Sequence, residues 1–205
     1  MSINIKKAKE SDALFLAKMI LQSSRAEKKV GLFDLIFSEE EDVLKSLEKL
    51  IVTKTKNYCH FSNFLIASID TQDVGSLCSY EPRISTKESF VESLKEIGCE
   101  SGAKIFLDIL DVCDFELNKR TLVFDFMEEI EGFLDVGVLK ALVQKSLLTA
   151  RLKGYRIVQT MVEIGSLETL LYYKKLGFQE VRQKECELYK EKFGRAGFVL
   201  LALEF

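Results

Sequence analysis

The segment from Thr121 to Glu163 constrains the fold more than any other part of the chain. It contains a strand-like run at Thr121 to Glu129, an amphipathic stretch, and a second strand-like run at Arg156 to Glu163. The amphipathic stretch has a stripe at helical spacing, formed by Leu139, Leu142, Val143, Ser146, Leu147 and Ala150. A strand, helix, strand unit of this kind makes a right-handed crossover between two parallel strands. We therefore expect a mixed α/β fold with one parallel pair in a largely antiparallel sheet.

The other elements are predicted from their own periodicity and turn signals. Further strands are expected at residues 3–5, 63–69, 74–80, 178–186 and 198–203. Further helices are expected after Ser11 or Asp12, after the acidic stretch at 38–41, and at residues 86–97, 101–113 and 167–175. Gly154 and Gly177 are expected to end helices. The turn residues between Ile69 and Val74 predict an antiparallel hairpin.

Composition predicts one globular domain over residues 1–205. The chain has 47% hydrophobic and 30% charged residues and a single proline, and we find no internal repeat. A net charge of −3 provides no global basic field, so we expect no nucleic-acid partner. The N-terminus lacks an apolar signal region and no run of about 18 apolar residues occurs, so we expect no membrane association and a cytoplasmic location.

Five cysteines are scattered at irregular spacing along the chain: Cys59, Cys78, Cys99, Cys113 and Cys186. No two of them form a CxxC pair, and His60 is the single histidine. Zinc sites and disulfide frameworks both need a more ordered pattern. We therefore expect neither, and interpret most of these thiols as small core side chains.

The last third of the chain contains the stretch LKALVQKSLLTARLKGYRIVQTMVEIGSLETLLYYKKLGF. This stretch resembles the core of the GNAT N-acetyltransferase superfamily. In that family a long helix ends at Gly-Tyr or Gly-Phe, a strand follows, and a segment ending in Tyr-x-x-x-Gly-Phe closes the site. Gly154-Tyr155, Tyr173 and Gly177-Phe178 occupy these positions here.

The resemblance extends over nearly the whole chain, toward an uncharacterised bacterial branch of the superfamily. It implies the GNAT acyl-CoA N-acyltransferase fold, with a helical insertion between the third and fourth strands at about residues 83–118. It also implies acetyl-CoA as co-substrate and a small-molecule or peptide amine as acceptor, while the Cys and His pattern already leads us to expect no metal. A homodimer is left open.

The same resemblance places the coenzyme A pyrophosphate loop at residues 134–139. The family pattern is Arg or Gln, two residues, Gly, one residue, then Gly or Ala, since glycines let phosphate approach the backbone. Only Gly137 keeps the pattern: Asp135 brings a carboxylate near the phosphates and Leu139 adds bulk. The matching residues are Leu134, Asp135, Val136, Gly137, Val138 and Leu139. A helix start that binds no ligand is the other interpretation.

Tyr173 corresponds to the family's tyrosine that protonates the departing coenzyme A thiolate. A phenol within hydrogen-bond reach can perform that step. Packing over the sheet would also explain a tyrosine at this position. Ser166 stands where the family has Asn near the pantetheine arm, and a hydroxyl can do part of that work.

The strand VFDFMEEI corresponds to the one whose backbone pairs with pantetheine. Met127, Glu128 and Glu129 are the expected contacts on this strand, and Asp125 and Glu128 are the candidate bases for the attacking amine. Solvated or paired carboxylates are the alternative. His60 precedes a strand beside the expected acceptor cleft and is a substrate-side candidate, or a structural histidine.

Two functions therefore remain open for a GNAT-like chain. The first is an acyl-CoA-dependent N-acetyltransferase that moves an acetyl group from acetyl-CoA to an amine of unknown identity. The second is a non-catalytic binding or interaction protein with the same fold, because a fold does not determine a function. An unrelated mixed α/β protein is the third interpretation.

Overall fold

A seven-stranded sheet runs through the described part of the chain. A computed structural model describes residues 2–113, 115–117, 120–133 and 137–205. The strands are β1 (Ile3–Lys7), β2 (Phe64–Ile69), β3 (Gln72–Tyr80), β4 (Leu122–Glu129), β5 (Ile157–Glu163), β6 (Gln179–Glu185) and β7 (Gly197–Glu204). Their order in the sheet is β1-β2-β3-β4-β5-β7-β6.

One strand pair is parallel and the remaining neighbours are antiparallel. β4 and β5 form the parallel pair, and the crossover between them contains a 15-residue helix. This arrangement confirms the mixed α/β fold and the crossover predicted from the segment between Thr121 and Glu163. β2 and β3 form the predicted hairpin, with Asp70 and Thr71 at its turn.

Eight α-helices of the described residues cover the sheet. They are α1 (Ala13–Arg25), α2 (Leu32–Ile36), α3 (Val43–Ile51), α4 (Lys87–Glu96), α5 (Glu100–Cys113), α6 (Val138–Leu152), α7 (Leu167–Lys175) and α8 (Glu187–Phe193). α4 and α5 lie between β3 and β4, where two helices are predicted. None of the helices within these ranges is long and apolar enough to cross a membrane.

Two short helices, α2 and α8, are not predicted from the sequence. α2 has five residues and follows its N-cap Gly31, whose amide donates to the carboxylate of Asp34 at 2.8 Å. α8 has seven residues and follows directly after Cys186, where a strand is expected to end. Helices of one or two turns show too few repeats for periodicity to reveal them, and packing in the folded chain decides whether they form.

The sheet separates two hydrophobic clusters. One contains residues of α1 to α5, and the other contains residues of α6 and α7. Neighbouring residues of β4 alternate between them, because Val123 belongs to the first cluster while Leu122 and Phe124 belong to the second. The sheet is therefore covered by helices on both faces, as a buried parallel pair requires.

A disulfide joins Cys113 at the end of α5 to Cys186 just before α8, with Cα atoms 5.5 Å apart. The expectation that the chain has no disulfide is therefore wrong for this pair. The two residues are 73 positions apart, and only the folded chain brings α5 to α8. Cys59, Cys78 and Cys99 are buried thiols, as predicted for small core side chains.

Gly75 on β3 lies where β3, β4 and the start of α6 meet. It pairs with Glu129 of β4. A Cβ atom at this position would lie 2.7 Å from Val138 Cγ1 and 2.9 Å from the backbone oxygen of Glu128. The missing side chain therefore allows the first turn of α6 to pack closely against β3 and β4.

We predict that Gly75→Ala lowers the free energy of unfolding by about 1–3 kcal/mol, because Val138 or the β4 backbone must move to admit the methyl group. Urea denaturation measures this change. Ser79→Ala on the same strand is the control and is expected to change the value by less than about 0.5 kcal/mol. An unchanged midpoint for Gly75→Ala would show that the close approach relaxes without cost.

Candidate functional site

The parallel strands β4 and β5 diverge after only two residue pairs. Leu122 pairs with Val158 and Val123 with Gln159, and no further pair joins the two strands within the described residues. β4 carries a bulge at this point, since its register with β3 shifts and Phe126 has a φ of 44°. A wedge therefore opens between β4 and β5 beyond Val123.

A cavity of about 1170 Å³ fills this wedge. It is lined by parts of α1, α2, α5, α7 and α8, by both diverging strands, and by the first turn of α6. The predicted site residues that line it are Asp125, Met127, Glu128, Glu129, Gly137, Val138, Leu139, Ser166 and Tyr173. Leu134, Asp135 and Val136 lie outside the described residues, so the pyrophosphate-loop prediction for them stays a prediction.

The N-terminus of α6 opens onto this cavity. Gly137 precedes the helix with a φ of 90°, a conformation that favours glycine, and it has no side chain to cap the first turn. The first helical hydrogen bond runs from the amide of Ala141 to the oxygen of Gly137 at 3.0 Å. The amides of Val138, Leu139 and Lys140 therefore have no partner inside the helix and lie at its positive end.

Asp125 is half-buried close to the point where the strands separate. Its Oδ1 accepts a hydrogen bond from the amide of Phe126 at 2.8 Å, which supports the bulge. Burial raises the pKa of Asp125 to about 6, and the Phe126 hydrogen bond opposes this shift. The carboxyl is therefore largely ionised at pH 7 but close enough to its pKa to accept a proton.

Glu128 lies further along β4, beneath the end of α1. Its Oε2 accepts a hydrogen bond from Gln22 Nε2 at 2.9 Å, and Gln22 also donates to the backbone oxygen of Glu129 at 3.2 Å. Burial raises the pKa of Glu128 to about 7, with smaller contributions from the charges of Glu129 and Glu27.

In the described part of the chain, no group of three or more His, Cys, Asp or Glu side chains is placed to hold a metal ion.

Tyr173 on α7 is 4% exposed and packs edge-on against Phe178, with ring centroids 5.1 Å apart. Its phenol interacts with the Thr160 hydroxyl on β5. Burial raises the pKa of Tyr173, and the negative charges of Asp125 and Glu128 raise it further. The phenol therefore stays protonated around neutral pH. Ser166, at the N-terminus of α7, also lines the cavity.

His60 lies outside the cavity lining, although Cys59 beside it belongs to that lining. His60 is buried, and its Nδ1 is 2.7 Å from Ser62 Oγ at the start of a short turn. Burial lowers the pKa of His60, so it is neutral at physiological pH. The position of His60 therefore fits a structural histidine rather than a substrate contact. Burial also raises the pKa of the Cys59 thiol, which makes it a poor nucleophile.

Several residues of the cavity wall are not predicted from the sequence. Gln22 holds Glu128, and an aromatic wall is built from four separate segments by Phe33, Tyr58, Phe90 and Phe106. No local motif marks these residues, because each belongs to an ordinary apolar or polar pattern of its own element. Only the folded arrangement brings them to one surface.

Comparison with known proteins finds solved structures with a similar fold but no match by sequence. No family model matches the chain, and no curated protein matches it in sequence. The structure is similar to an N-acetyltransferase from Staphylococcus aureus Mu50, with a TM-score of 0.70, 16% identity, and coverage of 98% of this chain and 100% of that one.

Two further solved structures agree with this likeness. An acetyltransferase of the GNAT family from Staphylococcus aureus Mu50 has a TM-score of 0.57 and 15% identity, with 99% of each chain covered. A ribosomal-protein-alanine N-acetyltransferase from Brucella melitensis has a TM-score of 0.58 and 14% identity, with 98% of this chain and 99% of that one covered. The chain therefore has the fold of the GNAT acetyltransferases.

Proposed function

We propose that the protein is an acetyl-CoA-dependent N-acetyltransferase that acts on an amine. One observation carries this proposal: Asp125 and Tyr173 both line the cavity near the point where β4 and β5 separate, and the cavity ends at the uncapped first turn of α6. A base, an acid and an anion-binding helix terminus thus share one cavity. The fold shared with acetyltransferases supports the same conclusion.

The residues around the wedge fit coenzyme A. The amides of Val138, Leu139 and Lys140 and the dipole of α6 would hold its pyrophosphate. Met127 and Glu128 lie on β4 beyond its last pair with β5, where the pantetheine amides would add as a strand. Acetyl-CoA supplies the acetyl group as a reactive thioester, and every other role falls to residues of this chain.

Asp125 would accept the proton that the amine loses. The amine nitrogen attacks the acetyl carbonyl carbon, a C–N bond forms, and the C–S bond breaks. The amine proton passes to Asp125 directly or through one water molecule. A carboxylate with a pKa of about 6 is mostly ionised at pH 7 and so is ready for this step.

Tyr173 would donate a proton to the departing thiolate. Its raised pKa keeps the phenol protonated, so the hydroxyl is a donor throughout the neutral range. The charge of Asp125 is among the causes of that raised pKa, which places the two groups near one another. Asp125 gains one proton and Tyr173 loses one, and transfer of a proton from Asp125 to the phenolate, directly or through water, would restore both groups for the next turnover.

A non-catalytic protein of the same fold is the second candidate. Leu139 favours it, because this side chain lines the cavity in the first turn of α6, where a phosphate must approach the backbone. Bulk at that point weakens phosphate binding without disturbing the fold. Coenzyme A binding separates the two candidates.

We predict that millimolar acetyl-CoA or CoA raises the melting temperature of the protein, since a ligand at 100 times its Kd adds about 2.7 kcal/mol of stability. Differential scanning fluorimetry measures the shift. ATP at the same concentration is the control, because it has phosphates but no pantetheine to pair with β4. An unchanged melting temperature with both acetyl-CoA and CoA would contradict the transferase proposal and favour the non-catalytic candidate.

We predict that kcat at saturating concentrations of an amine identified by thiol release has an acidic limb with an apparent pKa near 6, because Asp125 must be ionised to accept a proton. Asp125→Asn keeps an acceptor for the Phe126 amide and should lower kcat about 100-fold. Glu128→Gln is the matched control and should retain the limb near pH 6. A limb that survives in Asp125→Asn would assign the base elsewhere.

We predict that Tyr173→Phe lowers kcat about 10- to 100-fold while the Kd for CoA changes less than about twofold, because the phenol acts only as the thiolate leaves. Fixed-time product assays measure kcat, and calorimetry measures the Kd for CoA. Tyr172→Phe, which also alters a cavity tyrosine, is the control and should keep kcat within about twofold. An equal loss of turnover and CoA affinity in Tyr173→Phe would reduce Tyr173 to a packing role.

A further inference from the structure

A charged cluster lies at the C-terminal end of β5, where this strand has already separated from β4. Lys28 Nζ contacts Glu163 Oε1, and the Tyr189 hydroxyl donates to the same oxygen at 2.5 Å. Arg195 Nε lies 3.5 Å from Glu163 Oε2. Glu163, Tyr189 and Arg195 all line the cavity. The cluster contains two cations and one anion, so it carries one excess positive charge.

Arg195 is not required to neutralise Glu163. Lys28 and Tyr189 already bind that carboxylate at Oε1, and Arg195 Nε, 3.5 Å from Oε2, makes no hydrogen bond to it. The Arg195 side chain is 28% exposed, and its Nη1 lies where a Cβ on Gly165 would come within 3.1 Å. The guanidinium therefore sits at the cavity wall with donors to spare.

Charged groups are distributed unevenly around the cavity. Asp125, Glu128 and Glu129 lie on β4, Glu168 lies on α7, and Arg195 lies beside Glu163 at the end of β5. Among the described residues that line the cavity, Lys140 is the one other cation, and it belongs to the first turn of α6. An acceptor bound between β4 and the end of β5 thus meets carboxyl groups on one side and a guanidinium on the other.

Apolar side chains cover the space around these charged groups. Leu32 and Phe33 of α2, Ile109 of α5 and Phe198 of β7 all line the same cavity. Phe198 contacts Tyr189, with ring centroids 4.5 Å apart, so the aromatic surface continues to the charged cluster. A ligand of mixed character, with an apolar body and two opposite charges, matches this lining.

We propose that the acceptor carries a carboxylate as well as its amine, as a free amino acid does, and that Arg195 binds this carboxylate. The inference rests on the proposed transferase function and names the acceptor class of that same site. A guanidinium matches a carboxylate in geometry, through two parallel N–H donors, and a partly buried wall strengthens the charged hydrogen bonds. The amine end of the acceptor then lies toward Asp125.

Matched pairs of small amines test the acceptor class with the wild-type protein alone. The pairs are L-alanine with ethylamine, L-leucine with 3-methylbutylamine, and L-phenylalanine with 2-phenylethylamine, and each pair differs only in the carboxylate. Calorimetric titration with and without saturating CoA gives the affinities. We expect at least one amino acid to bind about tenfold or more tightly than its amine. Equal or weaker binding of all three amino acids, or no binding of any probe, would overturn the inference.

The variant Arg195→Gln tests the residue. It should remove the preference within the responding pair by weakening the amino acid about tenfold, while the affinity for the matching amine changes less than about twofold. Arg182→Gln is the control, since Arg182 lies on β6 outside the cavity lining and contacts Phe115. A preference that persists in Arg195→Gln would overturn the assignment of Arg195. Because CoA binding is measured independently by the melting-temperature shift, a failure of the transferase proposal is read separately from a failure to prefer the amino acid.

Discussion

The separation of β4 from β5 is the constraint on which the rest of the site depends. Two parallel strands that pair at only two positions leave backbone and side chains facing an open wedge rather than a neighbour. The bulge that turns β4 away requires a positive φ at Phe126, which costs a non-glycine residue about 1–2 kcal/mol. Asp125 offsets part of this cost by accepting the Phe126 amide, so one carboxyl both shapes the wedge and lines it.

The electrostatics of the cavity follow from that geometry. Carboxyl groups at a bulge between packed layers lose water, which raises the pKa of Asp125 to about 6 and that of Glu128 to about 7. The same burial holds the Tyr173 phenol in its protonated form. The two carboxyls, which would be fully ionised on the surface, are thereby brought to the range where proton transfer at neutral pH is efficient.

Much of this site was accessible from the sequence, because its elements have strong local patterns. The alternation of strand, helix and strand predicted the parallel pair, and the residue order along VFDFMEEI placed Asp125 and Glu128 on β4. The Cys113–Cys186 disulfide was not accessible, because it depends on α5 meeting α8 across 73 positions. The position of Arg195 was not accessible either, because its contact with Glu163 joins two segments that no local pattern connects. His60 was a candidate because it is the single histidine of the sequence. The number of histidines does not show whether this side chain faces the cavity, and it lies outside the cavity lining.

The balance of charge in the cavity bears on how coenzyme A and an acceptor would share it. Four carboxyl groups, those of Glu27, Asp125, Glu128 and Glu129, line the part between α1 and β4, and they disfavour an anion there. The pyrophosphate would be held by the amides of α6 and the Lys140 side chain. The first turn of α6 lies at the same end of β4 as Glu128 and Glu129, so the attraction of the helix N-terminus would have to exceed the repulsion from these carboxyls. An acceptor anion would be directed to Arg195, and its amine to the carboxyls of β4. Attraction at α6 and at Arg195 would therefore assign each ligand to its own part of the wedge.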